Sequence, residues 1–179
     1  MRVKHFLALA VWLPCSGSAT AEVSAQSAAG FVSEHRLELA ASPERAYEAL
    51  TKDVALWWDA THSYSGKAAN FTLDARPGGC FCEALPGGGV EHMRVSLAAP
   101  GKRLHMIGGL GPLQVLGASG TMSFVFVPRA DGSTLEYRYA VNGFSESGLQ
   151  PLAEPVDQVQ LAQLRRLQRY LATGAALNR

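Results

Sequence analysis

The chain has 179 residues, of which 47% are hydrophobic and 17% charged, so we expect one globular domain with a substantial core. The formal net charge is +1 and the basic residues form no stripe, which argues against nucleic-acid binding. No apolar run reaches the roughly 20 residues that a membrane-spanning helix needs.

The N-terminus has the pattern of a secretory signal peptide over residues 1–21. Arg2 and Lys4 form a positively charged start, and the apolar run Phe6–Leu13 follows. Small residues at Ala19–Ala21 fit a cleavage site after about Ala21. The sequence therefore predicts export, to the periplasm or by secretion. A buried N-terminal helix is the alternative.

A flexible leader over 22–30, small and polar in composition, is predicted to precede the folded domain. Residues 31–40 alternate loosely between apolar and polar types, which favours a strand. Ser42 and Pro43 are typical of a helix N-cap and first helical position, and predict a helix that runs to about residue 52. A second short helix is predicted over 54–58.

Strands separated by short turns follow the second helix. Pro86–Gly89 predicts a four-residue hairpin turn. The stretch Gly108–Gly120 is glycine-rich and apolar. Within it, Gly108–Gly111 predicts a mobile loop near a cavity mouth, with a plain glycine turn as the alternative. Consecutive strands joined by short turns form an antiparallel sheet. The pattern predicts strands over residues 70–75, 80–85, 90–97, 103–107, 121–127 and 134–141.

The last predicted element is a long amphipathic helix over 151–173, with Gly174 as its stop. Such a helix needs an apolar surface to lie on, and the preceding sheet supplies one. We therefore predict an α+β domain over 31–174, followed by a tail over 175–179. Its curved antiparallel sheet of about seven strands wraps around the C-terminal helix, with two short helices after the first strand. The apolar side of the long helix carries Leu152, Val156, Val159, Leu164, Leu167 and Leu171.

Four motifs resemble one known superfamily. Ser42–Leu50 is similar to its opening helix, and Leu56–Trp58 to its short second helix. Arg76–Glu83 resembles its turn into the third strand, and Pro100–Leu104 a later turn. The chain thus resembles the START-like, or SRPBCC, superfamily, and within it the subgroup of polyketide cyclase and heat-shock-protein ATPase activator homologues.

This resemblance implies the helix-grip fold, in which a curved sheet grips a C-terminal helix and leaves a cavity. Members of the superfamily include lipid and hormone carriers, aromatase/cyclases and oxygenase subunits. They share the cavity and no common catalytic motif. An exported chain departs from the mostly cytosolic subgroup, so a role in chaperone activation does not follow from the resemblance.

Cys80 and Cys82 would face the same side of a strand. With a four-residue turn after them, Cys82 would pair with Met93 and Cys80 with Val95. The simplest interpretation is that both are small buried hydrophobes. A disulfide would need a bulge, because residues i and i+2 of a regular strand lie about 6.5–7 Å apart. A soft metal ion such as Cu(I) is the third alternative.

Few residues are candidates for acid–base chemistry. In the same register, His92 faces Glu83 on the side away from the cysteines, where we expect a solvated cross-strand pair. Glu91 would share the Met93 face, where burial would raise its pKa and make it a candidate acid or base. A carboxylate in water is the alternative for Glu91. His105 and the cavity tyrosines are further candidates for an acid or base.

The sequence favours a protein that binds a small, largely apolar ligand, lipid-like or aromatic, between the sheet and the C-terminal helix. An enzyme of cyclase or hydrolase type with a cavity acid or base, or an interaction module without a ligand, are the alternatives. We expect no cofactor, no metal, no nucleic-acid partner and no stable membrane span after signal cleavage. Val156 and Val159 are predicted to touch the ligand, whereas Leu167 and Leu171 anchor the helix. The candidate ligand-binding residues are Trp57, Trp58, Phe71, Met93, Met106, Met122, Phe124, Tyr137, Tyr139, Val156 and Val159.

Overall fold

The structure is a computed structural model that describes residues 23–175. Within that range the strands form one antiparallel sheet in the order β1-β2-β8-β7-β6-β5-β4-β3. The helices are α1 (Pro43–Lys52), α2 (Val54–Trp57), α3 (Pro112–Val115) and α4 (Gln150–Thr173). The strands are β1 (Val23–Ser27), β2 (Gly30–Leu39), β3 (Phe71–Leu73), β4 (Cys80–Leu85), β5 (Gly88–Ala99), β6 (Arg103–Gly108), β7 (Ser119–Arg129) and β8 (Gly132–Asn142).

The predicted α+β class and the long closing helix are confirmed. Helix α4 lies on the concave face of the curved sheet, chiefly against β2, and also contacts α1 and α2. It ends where glycine was predicted to stop it. Gly174 adopts the left-handed conformation with φ 67°, and its N–H donates to the Tyr170 carbonyl at 2.8 Å. No helix in the range 23–175 is long and apolar enough to cross a membrane.

The N-terminal end of the described chain adds a strand that the sequence did not predict. Within 22–30, where we expected a flexible leader, strand β1 (Val23–Ser27) pairs with the start of β2. The sheet therefore has eight strands among the described residues rather than about seven. The predicted signal peptide, residues 1–21, lies outside the described residues, as does most of the predicted tail.

Helices α1 and α2 form as predicted and place an aromatic pair against the sheet. The Ser42 hydroxyl accepts the Arg45 N–H at 3.3 Å, which caps α1, and Pro43 occupies its first turn. The buried Trp57 indole donates to the Ala49 carbonyl at 2.9 Å, which fixes α2 on α1. The adjacent Trp58 is thereby turned towards the space under α4.

The hairpin between β4 and β5 differs from the predicted register. Its turn is only two residues long, at Pro86 and Gly87, and Gly87 has φ 75°. Phe81, not Cys82, lies opposite Met93, because the shorter turn and a bulge in β5 shift the pairing. The predicted pairs of the two cysteines with Met93 and Val95 are therefore wrong.

Helix α4 buries polar residues that the apolar pattern did not identify. Asp157 is fully buried and accepts the Ser33 hydroxyl at 2.5 Å, while its Oδ1 lies 2.9 Å from His35 Nε2. Gln163, which is not among the residues of the predicted apolar side, is also buried. Asp157 thus binds α4 to β2, whereas Gln163 Oε1 accepts the Asp59 N–H at 2.9 Å. The valines nearer the helix start are half-buried at a cavity.

Candidate functional site

A cavity of about 440 Å³ lies beside the first half of α4. We call it the α4 cavity. One wall is α4, a second is the 3-10 turn Ala60–His62 with the residues after it, and the segment that leads into α3 forms a third. The lining is mostly apolar. It comprises Trp58, Thr61, His62, Ser63, Tyr64, His92, Leu110, Gly111, Pro112, Leu152, Pro155, Val156, Val159 and Gln160.

An inner void of about 30 Å³ lies next to the α4 cavity, on its core side, and shares Trp58, Leu110 and Gln160 with it. A void of this size can hold a water molecule but is too small for an organic ligand. Gln163 also lines the void, and its buried Nε2 has no hydrogen-bond partner within residues 23–175. A ligand therefore has room in the α4 cavity itself, whereas the side chains deeper between the sheet and α4 are closely packed.

The predicted ligand-binding residues fall into three groups. Trp58, Val156 and Val159 line the α4 cavity. Phe71, Met93 and Tyr139 line neither space and are buried in the core. The remaining predicted residues line the inner void: Trp57, Met106, Met122, Phe124 and Tyr137.

Trp58 forms the apolar floor of the α4 cavity. The centroid of its ring lies 5.1 Å from the ring centroid of Phe71 and 5.4 Å from that of Phe81, and both phenylalanines are buried. Its indole N–H donates to the His62 carbonyl at 3.0 Å. One side chain therefore joins the floor to the turn that forms the second wall.

His92 of β5 is a polar residue in the lining of the α4 cavity, although the predicted strand register placed it in solvent. Its side chain is only 5% exposed, and its Nε2 lies 3.1 Å from Oε2 of the fully buried Glu83. The imidazole stacks on Phe71 at 5.2 Å between ring centroids, with 17° between the planes. The predicted solvated pair is therefore a buried one at the cavity wall.

A bulge in β5 explains why His92 points inwards. Glu91 lies opposite Cys82 and Met93 lies opposite Phe81, which leaves His92 as the extra residue between two ladder pairs. Both His92 and Met93 are buried as a result, whereas regular alternation would put only one of them inside. The bulge thus turns an imidazole towards the cavity.

Glu83 is held as a carboxylate by backbone donors. The Tyr64 N–H donates to its Oε2 at 3.1 Å, and the Ser65 N–H donates to its Oε1 at 2.5 Å. Burial alone would raise the pKa of this carboxyl, but the hydrogen bonds from Ser65, Tyr64 and His92 outweigh it, and the pKa is lowered. Burial lowers the pKa of His92, and Glu83 offsets only part of that effect. The pair at neutral pH is a neutral imidazole bonded to a carboxylate.

Tyrosines on β8 connect the cavity walls. Tyr137 donates to Gln160 Oε1 of α4 at 3.0 Å, and burial raises the pKa of its phenol well above the usual value. Tyr139 donates to the Gly108 carbonyl at 3.1 Å and accepts the Leu110 N–H at 3.4 Å. The Tyr137 bond orients α4, and the two bonds of Tyr139 hold the segment before α3 against the sheet.

The other predicted acid–base candidates lie away from the cavity. Glu91 is exposed and forms an ion pair with Arg94, because the bulge turns it outwards. It is therefore not the buried carboxylate considered above. His105 is half-buried on β6 and alternates with the inward-facing Leu104 and Met106, so it faces the outer side of the sheet.

Cys80 and Cys82 form a disulfide on the outer side of β4, with their Cα atoms 5.4 Å apart. Both residues are half-buried, and they alternate with the inward-facing Phe81 and Glu83. Their interpretation as small buried hydrophobes is therefore wrong, and the disulfide that we weighed against it is present. In the part of the chain that the structure describes, no three His, Cys, Asp or Glu side chains cluster as metal ligands would.

A larger hollow of about 590 Å³ lies on the outer face of the sheet, over β1, β2, β8 and β7. We call it the outer groove. It is open to solvent and lined largely by small and polar residues such as Ala25, Ser27 and Thr121. The aromatic residue in its lining, Phe31, is almost completely buried and offers no floor comparable to Trp58, so the smaller α4 cavity is the better candidate for an organic ligand.

Comparison with known proteins identifies the fold. No family model matches the sequence, and no curated protein does. Protein MLL2253 from Mesorhizobium loti matches with TM-score 0.57 and 18% identity, over 79% of this chain and 96% of that one. The Aha1 dimer from Colwellia psychrerythraea matches with TM-score 0.54 and 21% identity, over 79% of this chain and 96% of that one. The chain has the helix-grip fold.

A third helix-grip match is DynU16, a protein of the dynemicin biosynthetic locus. It aligns with TM-score 0.58 and 20% identity over 81% of this chain, which spans only 48% of DynU16. At these identities the likeness establishes the fold alone. The fold predicted from the START-like resemblance is thereby confirmed, and the function must be argued from the α4 cavity.

Proposed function

We propose that this helix-grip protein binds a small, largely apolar molecule in the α4 cavity. The supporting observation is the cavity itself, which is about 440 Å³ in volume and has an apolar floor and helix wall. Ligand sites in proteins typically occupy about 300–1,000 Å³ and combine apolar walls with a few placed polar groups. The ligand would lie on Trp58 and against Val156 and Val159 of α4.

The predicted residues that line the inner void, rather than the α4 cavity, would not contact the ligand but would support the residues that do. Met106, Met122 and Phe124 close the space below Trp58. Phe71 and Met93 support the floor and the bulge, and contribute rigidity instead of contact. A rigid, preformed wall lowers the entropy that binding would otherwise cost.

We further propose that the mature protein works in an oxidising compartment after removal of residues 1–21. The Cys80–Cys82 disulfide supports this location, because such bonds persist in the periplasm or outside the cell and are rare in the cytosol. A ligand found there would be a molecule that crosses, or is released at, the cell envelope.

The experiment that tests the binding site fills the cavity and measures binding of a fluorescent apolar probe, N-phenyl-1-naphthylamine. Val159→Trp places an indole in the cavity, and Val127→Trp adds the same ring on the exposed side of β7. We expect the wild type and Val127→Trp to bind the probe, and Val159→Trp to lose binding at least tenfold. Equal binding by the two variants would show that the probe binds outside the α4 cavity. No binding by any of the three proteins would favour an interaction module without a ligand.

A further inference from the structure

The protonation state of His92 is determined by its partner. An ionised carboxylate can only accept hydrogen bonds, and Glu83 already accepts the Tyr64 and Ser65 N–H groups. The proton between Glu83 Oε2 and His92 Nε2, which are 3.1 Å apart, therefore belongs to Nε2. In the neutral imidazole this leaves Nδ1 as a lone-pair acceptor.

The accepting nitrogen is available to a ligand. His92 lines the α4 cavity, and within residues 23–175 its Nδ1 has no hydrogen-bond partner. Among the described residues, the side-chain atoms with neither a partner nor solvent exposure are Tyr47 Oη, Asp157 Oδ2 and Gln163 Nε2. His92 Nδ1 is not one of them, so it is open to the cavity. The ring cannot turn freely to change this, because it is stacked on Phe71 and flanked by Tyr64.

The other hydroxyl groups around the cavity use their protons within the protein. The Ser63 hydroxyl donates to the Ala60 carbonyl at 2.6 Å, and the Thr61 hydroxyl donates to Asp59 at 2.8 Å. The Tyr64 hydroxyl donates to the Gly111 carbonyl at 3.3 Å. A buried ligand hydroxyl must find an acceptor or lose its hydrogen bond with water, and His92 Nδ1 is an acceptor placed beside the aromatic floor.

We infer that the α4 cavity selects hydroxyl-bearing aromatic ligands, which donate a hydrogen bond to Nδ1 of His92 while their rings lie on Trp58. This inference rests on the proposed function and names the ligand class of the same site. His92 is then the residue that determines specificity, and Glu83 is a positioning residue that fixes its tautomer. An apolar ring without a donor still binds, but leaves Nδ1 without a partner.

Paired probes of nearly equal size test the inference. Calorimetry would compare 2-naphthol with 2-methylnaphthalene, in which a methyl group replaces the hydroxyl. We expect the wild type to prefer 2-naphthol by about tenfold, the effect of one buried hydrogen bond. His92→Phe keeps an aromatic ring in the wall and removes the acceptor, so the preference for 2-naphthol should be abolished or reversed, because the buried hydroxyl then has no partner. Equal affinity of the wild type for the two probes would overturn the inference and leave the proposed function intact, whereas binding of neither would overturn both.

A measurement on the unaltered protein covers the case in which His92→Phe does not fold. Nitrogen-15 NMR of histidine-labelled protein reports which ring nitrogen carries the proton. We expect His92 to show a protonated Nε2 and an unprotonated Nδ1, and the Nδ1 signal to move with 2-naphthol but not with 2-methylnaphthalene. A protonated Nδ1, or the same response to both probes, would refute the role assigned to His92.

Discussion

Glu83 Oε2 lies 3.1 Å from Nε2 of His92, which lines the α4 cavity, and both side chains are almost completely buried. The pair connects two neighbouring strands to the turn after α2, since the same carboxylate holds the Tyr64 and Ser65 N–H groups. The position of the turn after α2 and the hydrogen bonding of His92 therefore depend on one buried carboxylate.

Replacing that carboxylate should destabilise the protein. Glu83→Gln puts an N–H₂ group among donors, so at least one buried donor loses its acceptor. We expect the free energy of unfolding in urea to fall by about 1–3 kcal/mol. Glu91→Gln is the matched control, because Glu91 is exposed and paired only with Arg94. Its effect should stay below about 1 kcal/mol, and similar losses for the two variants would contradict the account of Glu83.

Stability should fall on mild acidification because of His92. Its pKa in the folded protein lies below the ordinary value of 6.5, so the unfolded chain binds the proton more readily. The stabilisation is therefore present above pH 6.5 and is lost as the pH falls through the lower pKa of the folded state. Glu83, whose pKa is also lowered, adds a loss in the same direction below its ordinary value of 4.5.

Urea unfolding between pH 7.5 and pH 5 isolates the contribution of His92 from that of Glu83. The free energy of unfolding should decline with falling pH in the wild type, and the decline should be smaller in His92→Phe. An identical pH dependence in the two proteins would show that His92 titrates alike in the folded and unfolded states.

Asp157 should act mainly as an acceptor under α4. Asp157→Ala leaves the Ser33 hydroxyl and the His35 imidazole without this partner, so the free energy of unfolding should fall by about 3 kcal/mol. Asp157→Asn keeps an acceptor oxygen and should cost less than half as much. Equal losses in both variants, measured by thermal or urea unfolding, would mean that the charge matters and not the acceptor.

The disulfide gives a prediction about export. Protein recovered from the periplasm and then unfolded should not react with iodoacetamide until it is reduced. After reduction it should take up two adducts, at Cys80 and Cys82, because removal of residues 1–21 also removes Cys15. Mass spectrometry that finds a third adduct, or labelling before reduction, would contradict cleavage or the disulfide respectively.

The same bond should contribute modestly to stability. It closes a loop of very few residues, and the chain-entropy model then gives about 1–2 kcal/mol. A comparison of urea unfolding with and without reductant, at equal pH, checks this value. A loss several times larger would mean that the bond also holds the turn between β3 and β4 in place.

The sequence predicted the fold because its signals are local or repeated. Ser42 and Pro43 open α1, strand alternation recurs along the chain, and Gly174 stops a helix with a regular apolar side. The candidate site was harder to predict, because one extra residue in β5 decides it. Regular alternation puts His92 and Met93 on opposite faces, and the bulge that turns both inwards leaves no local pattern.

Polar contacts between residues far apart in the chain could not be predicted from the sequence either. Asp157 is buried because Ser33 and His35, more than a hundred residues earlier, satisfy it. Apolar periodicity therefore found Val156, Val159 and Leu167, but not the polar residues of the same helix that face the core. For Cys80 and Cys82, the Cα–Cα spacing of a regular strand argued against a disulfide. The actual spacing of 5.4 Å is shorter and allows the bond.

The most direct test of the proposed function locates a bound probe by NMR. Protein with labelled valine, leucine and isoleucine methyl groups would be saturated with N-phenyl-1-naphthylamine. Intermolecular nuclear Overhauser effects should connect the probe to Leu152, Val156 and Val159 of the α4 cavity. Contacts confined to Val32 and Ile107 of the outer groove would contradict the α4 cavity as the binding site.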